Sequence, residues 1–471
     1  MALADIRGGA RNHEGIAAAL PRLAERFGTR FQTGEAIRAQ HAHTTTYIPA
    51  QLPDGVVFVE GAEEVKAVVS LCAELKVPVI PFGTGSSLEG QVNAPNGGIS
   101  IDFSNMKRVL EVNAEDLDCT VEPGITREEL NVYLRDTGLF FPIDPGANAT
   151  LGGMAATRAS GTNAVRYGTM ATNVLALEVV LPDGRLIRTG TRARKSAAGY
   201  DLTHLFVGSE GTLGVITAVT LRLYGIPETI SAAVCAFDSL EGAVQTTILA
   251  IQIGIPMARI ELLDEVQIAA VNQDSGLGLP EAATLFLEFH GSPEGVAEQV
   301  RLFGELAEAN GGQGFRWATA TEERTALWKA RHHALFAAKG LRPGCEVFIS
   351  DVCVPISAMA GAIVEVQRDI RDNGLTAPIL GHVGDGNFHV LFLMDPADAD
   401  EIARIKAVNG RMIDRALAVG GTCTGEHGVG VGKKAYLRKE QGDAVDLMAA
   451  IKAAIDPSGI MNPGKIFDPL P

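Results

Sequence analysis

Apolar and polar positions along residues 11–27 repeat at the helical period, which predicts an amphipathic helix near the start of the chain. From Val56 the pattern changes to a short apolar strand (Val56–Val59), a helix (Glu63–Leu75) and a buried strand (Val77–Ile80) that opens into Pro81-Phe82-Gly83-Thr84-Gly85-Ser86-Ser87-Leu88. Strand, helix and strand in that order, ending on a glycine turn, predict an α/β unit. Residues 99–123 read as β structure, Arg127–Asp136 as a helix entered through Thr126, and Ala176–Leu181 and Leu213–Leu223 as further strands. The character shifts at Ile226-Pro227, after which 231–237 and 283–289 read as strands and 239–253 and 294–309 as helices. A separate α+β domain is therefore expected. The division is 1–226, 227–420 and a closing segment 421–471, with no internal repeat or low-complexity linker.

Candidate chemistry is densest in Gly381-His382-Val383-Gly384-Asp385-Gly386-Asn387-Phe388-His389, followed by Gly425-Glu426-His427-Gly428. Asp-Gly between two apolar runs signals a tight hairpin. With Asp385 and Gly386 as the turn, His382 would pair with His389, their Cβ atoms roughly 5 Å apart on one face. Both rings could then reach one cation. Glu426 would add a carboxylate, a set that suits zinc, with manganese and iron as alternatives. His427 would stand beside the metal as a proton acceptor. The plainer alternative is a hairpin with two half-buried histidines.

Three loops (81–91, 145–168 and 208–214) carry too many small residues for ordinary connectors. Glycines allow positive φ and close backbone approach, so N–H groups can point at phosphate oxygens. Their spacing fits neither GxGxxG nor GxxxxGK[ST]. A large phosphate-bearing ligand enveloped by one α/β domain is the reading that unites them.

Composition narrows the classes. A chain of 471 residues exceeds the size at which one core stops growing. A net charge of −16 disfavours nucleic acid and anionic membrane surfaces as partners. No apolar run approaches a membrane span. Asp5, Glu14 and Glu25 among the early arginines argue against a targeting peptide. Six cysteines without CxxC spacing suggest reduced thiols and a cytoplasmic location.

Several segments resemble the flavin-binding signatures of the vanillyl-alcohol oxidase / p-cresol methylhydroxylase (PCMH) superfamily. They are Pro81–Leu88, Pro145-Gly146, Gly152-Gly153-Met154-Ala155-Ala156, Ser160-Gly161-Thr162-Asn163-Ala164-Val165-Arg166-Tyr167-Gly168, Gly208–Ile216 and Asn462-Pro463-Gly464-Lys465. Together with the HxGDGNxH and GEHG segments they are similar to its 2-hydroxyacid dehydrogenase branch, across residues 45 to 467. That branch includes flavin D-lactate dehydrogenases, glycolate oxidase flavin subunits and D-2-hydroxyglutarate dehydrogenases. The resemblance implies a two-subdomain PCMH-type FAD-binding domain, an α+β cap domain with a ferredoxin-like sheet, and a C-terminal segment that returns to the FAD domain.

It also implies FAD with its pyrophosphate on Gly83, Thr84, Gly85, Ser86 and Ser87 beside Pro81. Further flavin contacts would come from Pro145, Gly146, Gly152, Gly153, Ala156, Ser160, Gly161, Asn163, Tyr167, Gly168, Glu210, Gly214, Ile216, Asn462 and Lys465. Residues 81–91 hold no His or Cys, so the attachment is expected to be non-covalent.

The implied reaction is oxidation of a small D-2-hydroxy acid to the 2-oxo acid, with hydride transfer to flavin N5. The segment Trp328-Lys329-Ala330-Arg331-His332-His333 resembles the substrate-arginine region and nominates Arg331 for the carboxylate. The hydroxyglutarate branch carries Asn, Thr and Lys where this chain has Leu391, Leu335 and Ile349. A second carboxylate among those apolar side chains would be penalised, so a monocarboxylic, D-lactate-like substrate is expected. A quinone, a cytochrome, an electron-transfer flavoprotein and oxygen stay open as acceptors, and a homodimer is left open for assembly. Competing readings are a glycolate-oxidising complex, a metal-dependent hydrolase and a non-catalytic nucleotide-binding module.

Overall fold

The computed structural model describes residues 11–42, 44, 46–318 and 320–468; Asp5 lies outside them. The chain divides into two compact units, Met1–Ser160 with Gly168–Ile226 and Glu426–Pro471, and Gly161–Tyr167 with Pro227–Gly425.

In the first unit, helices His13–Phe27 and Ala62–Leu75 bury Ile16, Ala19, Leu23 and Phe27 and Val65, Val68, Val69 and Cys72 in one cluster. Each fully buried aliphatic side chain of this kind contributes roughly 1.5–3 kcal/mol. Asn12 caps the first helix and also donates to the Leu75 carbonyl at 2.9 Å, which joins the two helices. Beneath them lies a four-stranded sheet in the order Phe31–Gln32, Gly55–Phe58, Ile99–Asp102, Val79–Phe82. Its last three strands run parallel.

The strand leading into the first glycine loop begins two residues later than the hydrophobic pattern predicts. Lys76 turns left-handed (φ 51°) and the Val77 N–H closes the preceding helix onto the Cys72 carbonyl at 2.8 Å. Pro78 has no N–H, so pairing starts at Val79. The C-terminal segment joins the free edge of that strand: Val79 donates to Ile460 and accepts from Asn462, both at 2.8 Å.

A second sheet of five antiparallel strands runs Val109–Asn113, Asp118–Val121, Val215–Arg222, Val174–Val180, Leu186–Gly190. Helix Arg127–Leu134 starts with a capping box between Thr126 and Glu129 and stops short of Asp136 in a 3-10 turn, Arg135–Thr137.

The second unit is built on strand, helix, strand, strand, helix, strand. Strands Thr229–Phe237, Met257–Leu263, Thr284–Gly291 and Gly312–Ala318 take the spatial order fourth, first, third, second, all antiparallel. That is the ferredoxin-like arrangement. Helices Leu240–Gln252 and Pro293–Ala309, capped by Ser239 and Ser292, make its crossovers. The sheet continues past its second strand through Ile379–Gly381, Asn387–Met394 and Glu346–Ile349.

The hairpin register differs from the expected one. Ile379 pairs with Val390 and Leu380 with His389, so Asp385-Gly386 is not a two-residue turn. The Asp385 and Asn387 N–H groups both donate to the His382 carbonyl, at 3.0 and 3.3 Å, which closes a longer loop. Gly386 (φ 83°) lies against the Val354 carbonyl, where an added Cβ would sit 2.0 Å away. A slip of two residues leaves every side chain on its original face.

No helix of the described residues is long and apolar enough to cross a membrane. All six cysteines are free thiols, and burial pushes Cys72 and Cys119 up to about 12.

Candidate active site

In the first unit the three glycine-rich loops converge. Gly83 follows strand Val79–Phe82, and a Cβ there would meet Thr150 Oγ1 at 2.2 Å. Thr150 in turn caps helix Leu151–Thr157, where Gly152 packs on Pro123 with 2.4 Å to any Cβ. The Gly208 and Glu210 N–H groups donate at 2.9 Å to the carbonyls of Ala155 and Ala156. Gly214 lies against Val179, and Ile216 is buried in strand Val215–Arg222. Pro145 is half-buried, Gly146 is exposed, and Ser160 and the left-handed Gly168 (φ 77°) complete the set in this unit.

The first loop fits a phosphate. The backbone N–H groups of Thr84 to Leu88 have no acceptor among the described residues. Among the described residues Ser87 Oγ is buried without a partner, and Thr84 and Ser86 share a hydroxyl contact of 3.0 Å. A run of unsatisfied donors on one loop is an anion cradle.

Three residues read as flavin contacts lie in the second unit instead. The short helix Ala164–Tyr167 packs there, with Asn163 Oδ1 accepting from Arg259 Nε at 3.1 Å. The Tyr167 hydroxyl meets His290 Nδ1 at 2.8 Å, and His290 Nε2 meets Glu288 at 2.8 Å. Gly161 opens the same segment. Glu210, Asn462 and Lys465 stay in the first unit with their side chains turned into the protein. Lys465 Nζ donates to Asn93 O, Asn462 Oδ1 and Pro463 O at 2.7, 3.0 and 3.0 Å. Burial pushes the Lys465 ammonium down to about 7 and the Glu210 carboxyl up to about 7, each partly offset by the other's charge.

In the second unit His382 and His389 meet edge to face, ring centroids 5.5 Å apart and planes at 82°. They are diagonal neighbours across the ladder rather than directly opposite, close enough for long side chains to touch. Each ring has its Nδ1 against an acceptor. His382 Nδ1 is 2.7 Å from Glu261 Oε1, and His389 Nδ1 is 3.1 Å from the Ser350 carbonyl with Asp351 at 3.7 Å. Those acceptors fix the proton on Nδ1 and the lone pair on Nε2, the tautomer a metal ligand needs.

Asn387 holds Asp351 in place through Nδ2 at 2.7 Å, and Thr424 Oγ1 donates to the other Asp351 oxygen at 2.7 Å. Gly425 passes so close that a Cβ would lie 2.1 Å from Asn387 Nδ2. Glu426 is the next residue of the chain. His427 is tied through its backbone, its carbonyl accepting from Gln91 Nε2 at 2.8 Å.

Arg331 is buried and its Nη2 donates to Glu261 Oε2 at 2.5 Å, while its Nε has no partner among the described residues. Glu261 therefore bridges His382 and Arg331. Burial raises its carboxyl, but its interactions with His382 and Arg331 outweigh that and hold it below the ordinary value. Sequence reasoning missed Glu261 and Asp351. Their signal was a lone acid in an apolar strand run, Met257–Leu263 for one and Val347 to Val354 for the other.

Glu261→Gln is expected to weaken divalent-metal binding roughly 10–100-fold, because the partner of a ligating histidine sets its orientation and basicity. Isothermal titration of the apo-protein with Zn²⁺ measures this, and unchanged affinity would remove Glu261 from the site.

Two family models match the chain: "FAD binding domain" over residues 53–190 and "FAD linked oxidases, C-terminal domain" over residues 226–466. The probable mitochondrial D-lactate dehydrogenase of Danio rerio is 52% identical over 472 residues, 98% of this chain and 95% of that protein. The mitochondrial D-lactate dehydrogenase [cytochrome] of Arabidopsis thaliana is 48% identical, covering 89% of this chain and 74% of its own length. Glycolate oxidase subunit GlcD of Bacillus subtilis is 34% identical, covering 93% and 94%. Among solved structures, p-cresol methylhydroxylase with substrate bound superposes with a TM-score of 0.80 at 18% identity, over 98% of each chain, a likeness of fold. The chain belongs to the FAD-linked oxidases, among the flavin-dependent D-lactate dehydrogenases.

Proposed function

We propose that the protein oxidises a small D-2-hydroxy monocarboxylate, D-lactate or a close analogue, to the 2-oxo acid with the help of a divalent metal. The observation that carries the metal is the His382–His389 pair with both tautomers set by Glu261 and Ser350. Glu426 is read as the carboxylate ligand. Zinc fits this donor set, with manganese and iron as alternatives. Bound FAD supplies the two-electron acceptor, and a metal on the substrate hydroxyl lowers its pKa.

The protein's own residues do the rest. His427, as a neutral imidazole, takes the hydroxyl proton. Arg331 offers its Nε, without a partner among the described residues, to the substrate carboxylate, a buried donor that such an acceptor would satisfy. Ile349 and Leu391 are cross-strand partners, and Leu391 stands two residues beyond His389 on the same face. Leu335 packs on the same cluster, so the wall beside the histidines is apolar. That wall disfavours a second carboxylate.

The FAD-binding match over the glycine-loop segment takes the place of a nucleotide-substrate reading. The acceptor is read as a quinone, a cytochrome or an electron-transfer flavoprotein. We read the six free thiols as suited to a reducing, cytoplasm-like compartment; several relatives bear names that include "mitochondrial".

Anaerobic bleaching of the flavin by a panel of hydroxy acids tests the substrate. D-lactate is expected to exceed L-lactate, glycolate and D-2-hydroxyglutarate in kcat/KM, with D-2-hydroxyglutarate lower by roughly 10²-fold or more for its unpaired carboxylate. Comparable values for D-lactate and D-2-hydroxyglutarate would contradict the apolar wall, and a preference for glycolate would favour the glycolate-oxidising reading.

A further inference from the structure

We propose that Glu210 is a positioning residue for His427: its buried carboxylate clamps the backbone of the segment that carries Glu426 and His427. This rests on the reading of His427 as the proton acceptor. All the groups involved lie in the first unit.

The two oxygens of Glu210 accept from the Val429 N–H at 2.7 Å and the Gly430 N–H at 2.8 Å. On the other side of the histidine, Gln91 Nε2 holds the His427 carbonyl at 2.8 Å. Gly428 passes between the two clamp side chains at φ 78°, where a Cβ would lie 2.6 Å from Glu210 Oε1 and 3.0 Å from Gln91 Nε2. The glycine of Gly425-Glu426-His427-Gly428 is thus required by the clamp.

Asn462 joins the two clamp residues, donating from Nδ2 to the Gln91 carbonyl at 3.0 Å and the Glu210 carbonyl at 2.7 Å. Glu210 and Asn462 both hold left-handed backbones, φ 52° and 37°, which non-glycine residues keep only where their surroundings over-determine them. The carboxylate form is needed because each oxygen faces an N–H donor, and a protonated oxygen would meet a donor instead. Lys465, with three acceptors around its Nζ, lies near enough for its charge to favour that form.

A proton acceptor must sit within hydrogen-bond reach of the hydroxyl it serves. Fixing the carbonyl of His427 and the next N–H groups along the chain fixes where its imidazole starts from. A plain structural knot would use the same bonds. The two roles differ in whether the effect of Glu210 runs through His427.

The test compares Glu210→Gln, His427→Asn and the double variant of the FAD- and metal-loaded enzyme, read by the limiting rate of anaerobic flavin reduction with D-lactate. Flavin absorbance, metal content and Tm are recorded for each. Glutamine leaves one of the two N–H groups without an acceptor. Glu210→Gln is expected to slow reduction roughly 10–100-fold, with apparent Kd for D-lactate within about twofold and flavin retained, as for a small misplacement of a reacting group. In the His427→Asn background the same change is expected to cost less than about twofold, since residues that act as a unit are non-additive.

Equal fold-losses in both backgrounds, or no loss in the single variant, would overturn the clamp. If His427→Asn alone reduces its flavin at the wild-type rate, the reading of His427 has failed and the clamp falls with it. Gln91→Met removes the neutral half of the clamp without disturbing a buried charge. It is expected to follow the same background-dependent pattern, and an additive loss there would overturn the proposal should Glu210→Gln not fold.

Discussion

The His389→Ala enzyme is expected to stay yellow and lose both its metal and its turnover. The glycine-rich segments 83–88, 151–157 and 208–214 belong to the first unit, whereas His389 stands on strand Asn387–Met394 of the second. The metal depends on it directly, since alanine removes one of two adjacent imidazoles whose tautomers are preset by the protein. Metal polarisation of a hydroxyl is worth several kcal/mol, so kcat/KM should fall by roughly 10³-fold or more. Elemental analysis, absorbance near the flavin band and turnover with an artificial acceptor measure the three consequences separately. Turnover within tenfold of wild type, in a metal-free variant, would refute the assignment.

His427→Asn is expected to separate proton transfer from metal binding. The variant should keep FAD and metal, and kcat should fall by roughly 10²–10⁴-fold, the usual contribution of a positioned general base. KM should move little, because the substrate carboxylate is assigned to Arg331 and the hydroxyl to the metal. The pH profile carries the sign. A base must be unprotonated, so wild-type kcat/KM falls as pH drops through its pKa. Asparagine cannot titrate, and the acid limb should disappear from the variant. A variant that keeps that limb at full height would place the proton acceptor elsewhere.

Much of the fold was legible because periodicity reports burial. Strand Thr229–Phe237, helix Leu240–Gln252, strand Thr284–Gly291 and helix Pro293–Ala309 all lie within a few residues of the predicted spans. Boundaries moved where local chemistry intervened, as at Lys76, Val77 and Pro78, where a helix cap and a missing N–H delay the strand. The hairpin shows a different limit. Asp-Gly spacing suggested a two-residue turn, yet the His382 carbonyl collects two N–H groups and the loop lengthens. The histidines still share a face because the slip is an even number of residues.

Long-range partners were not legible. Glu261 reaches His382 across 121 residues and Arg331 across 70, and Glu210 reaches Val429 across 219. Glu261 could be suspected as an acid in an apolar strand and Glu210 as the acid of a glycine loop, but no local pattern names the partner of either. The segment Gly161–Tyr167 illustrates the same gap. Its glycine and asparagine read as part of a flavin loop, while Asn163 and Tyr167 make side-chain bonds to Arg259 and His290 of the second unit.

Anaerobic flavin reduction by D-lactate in chelator-treated enzyme tests the central claim most directly. The protein, freed of divalent metal but still loaded with FAD, is expected to hold its flavin oxidised in the presence of D-lactate and to bleach once Zn²⁺ or Mn²⁺ is restored. Bleaching at the full rate by enzyme that elemental analysis finds free of metal would contradict a metal-assisted oxidation at His382 and His389.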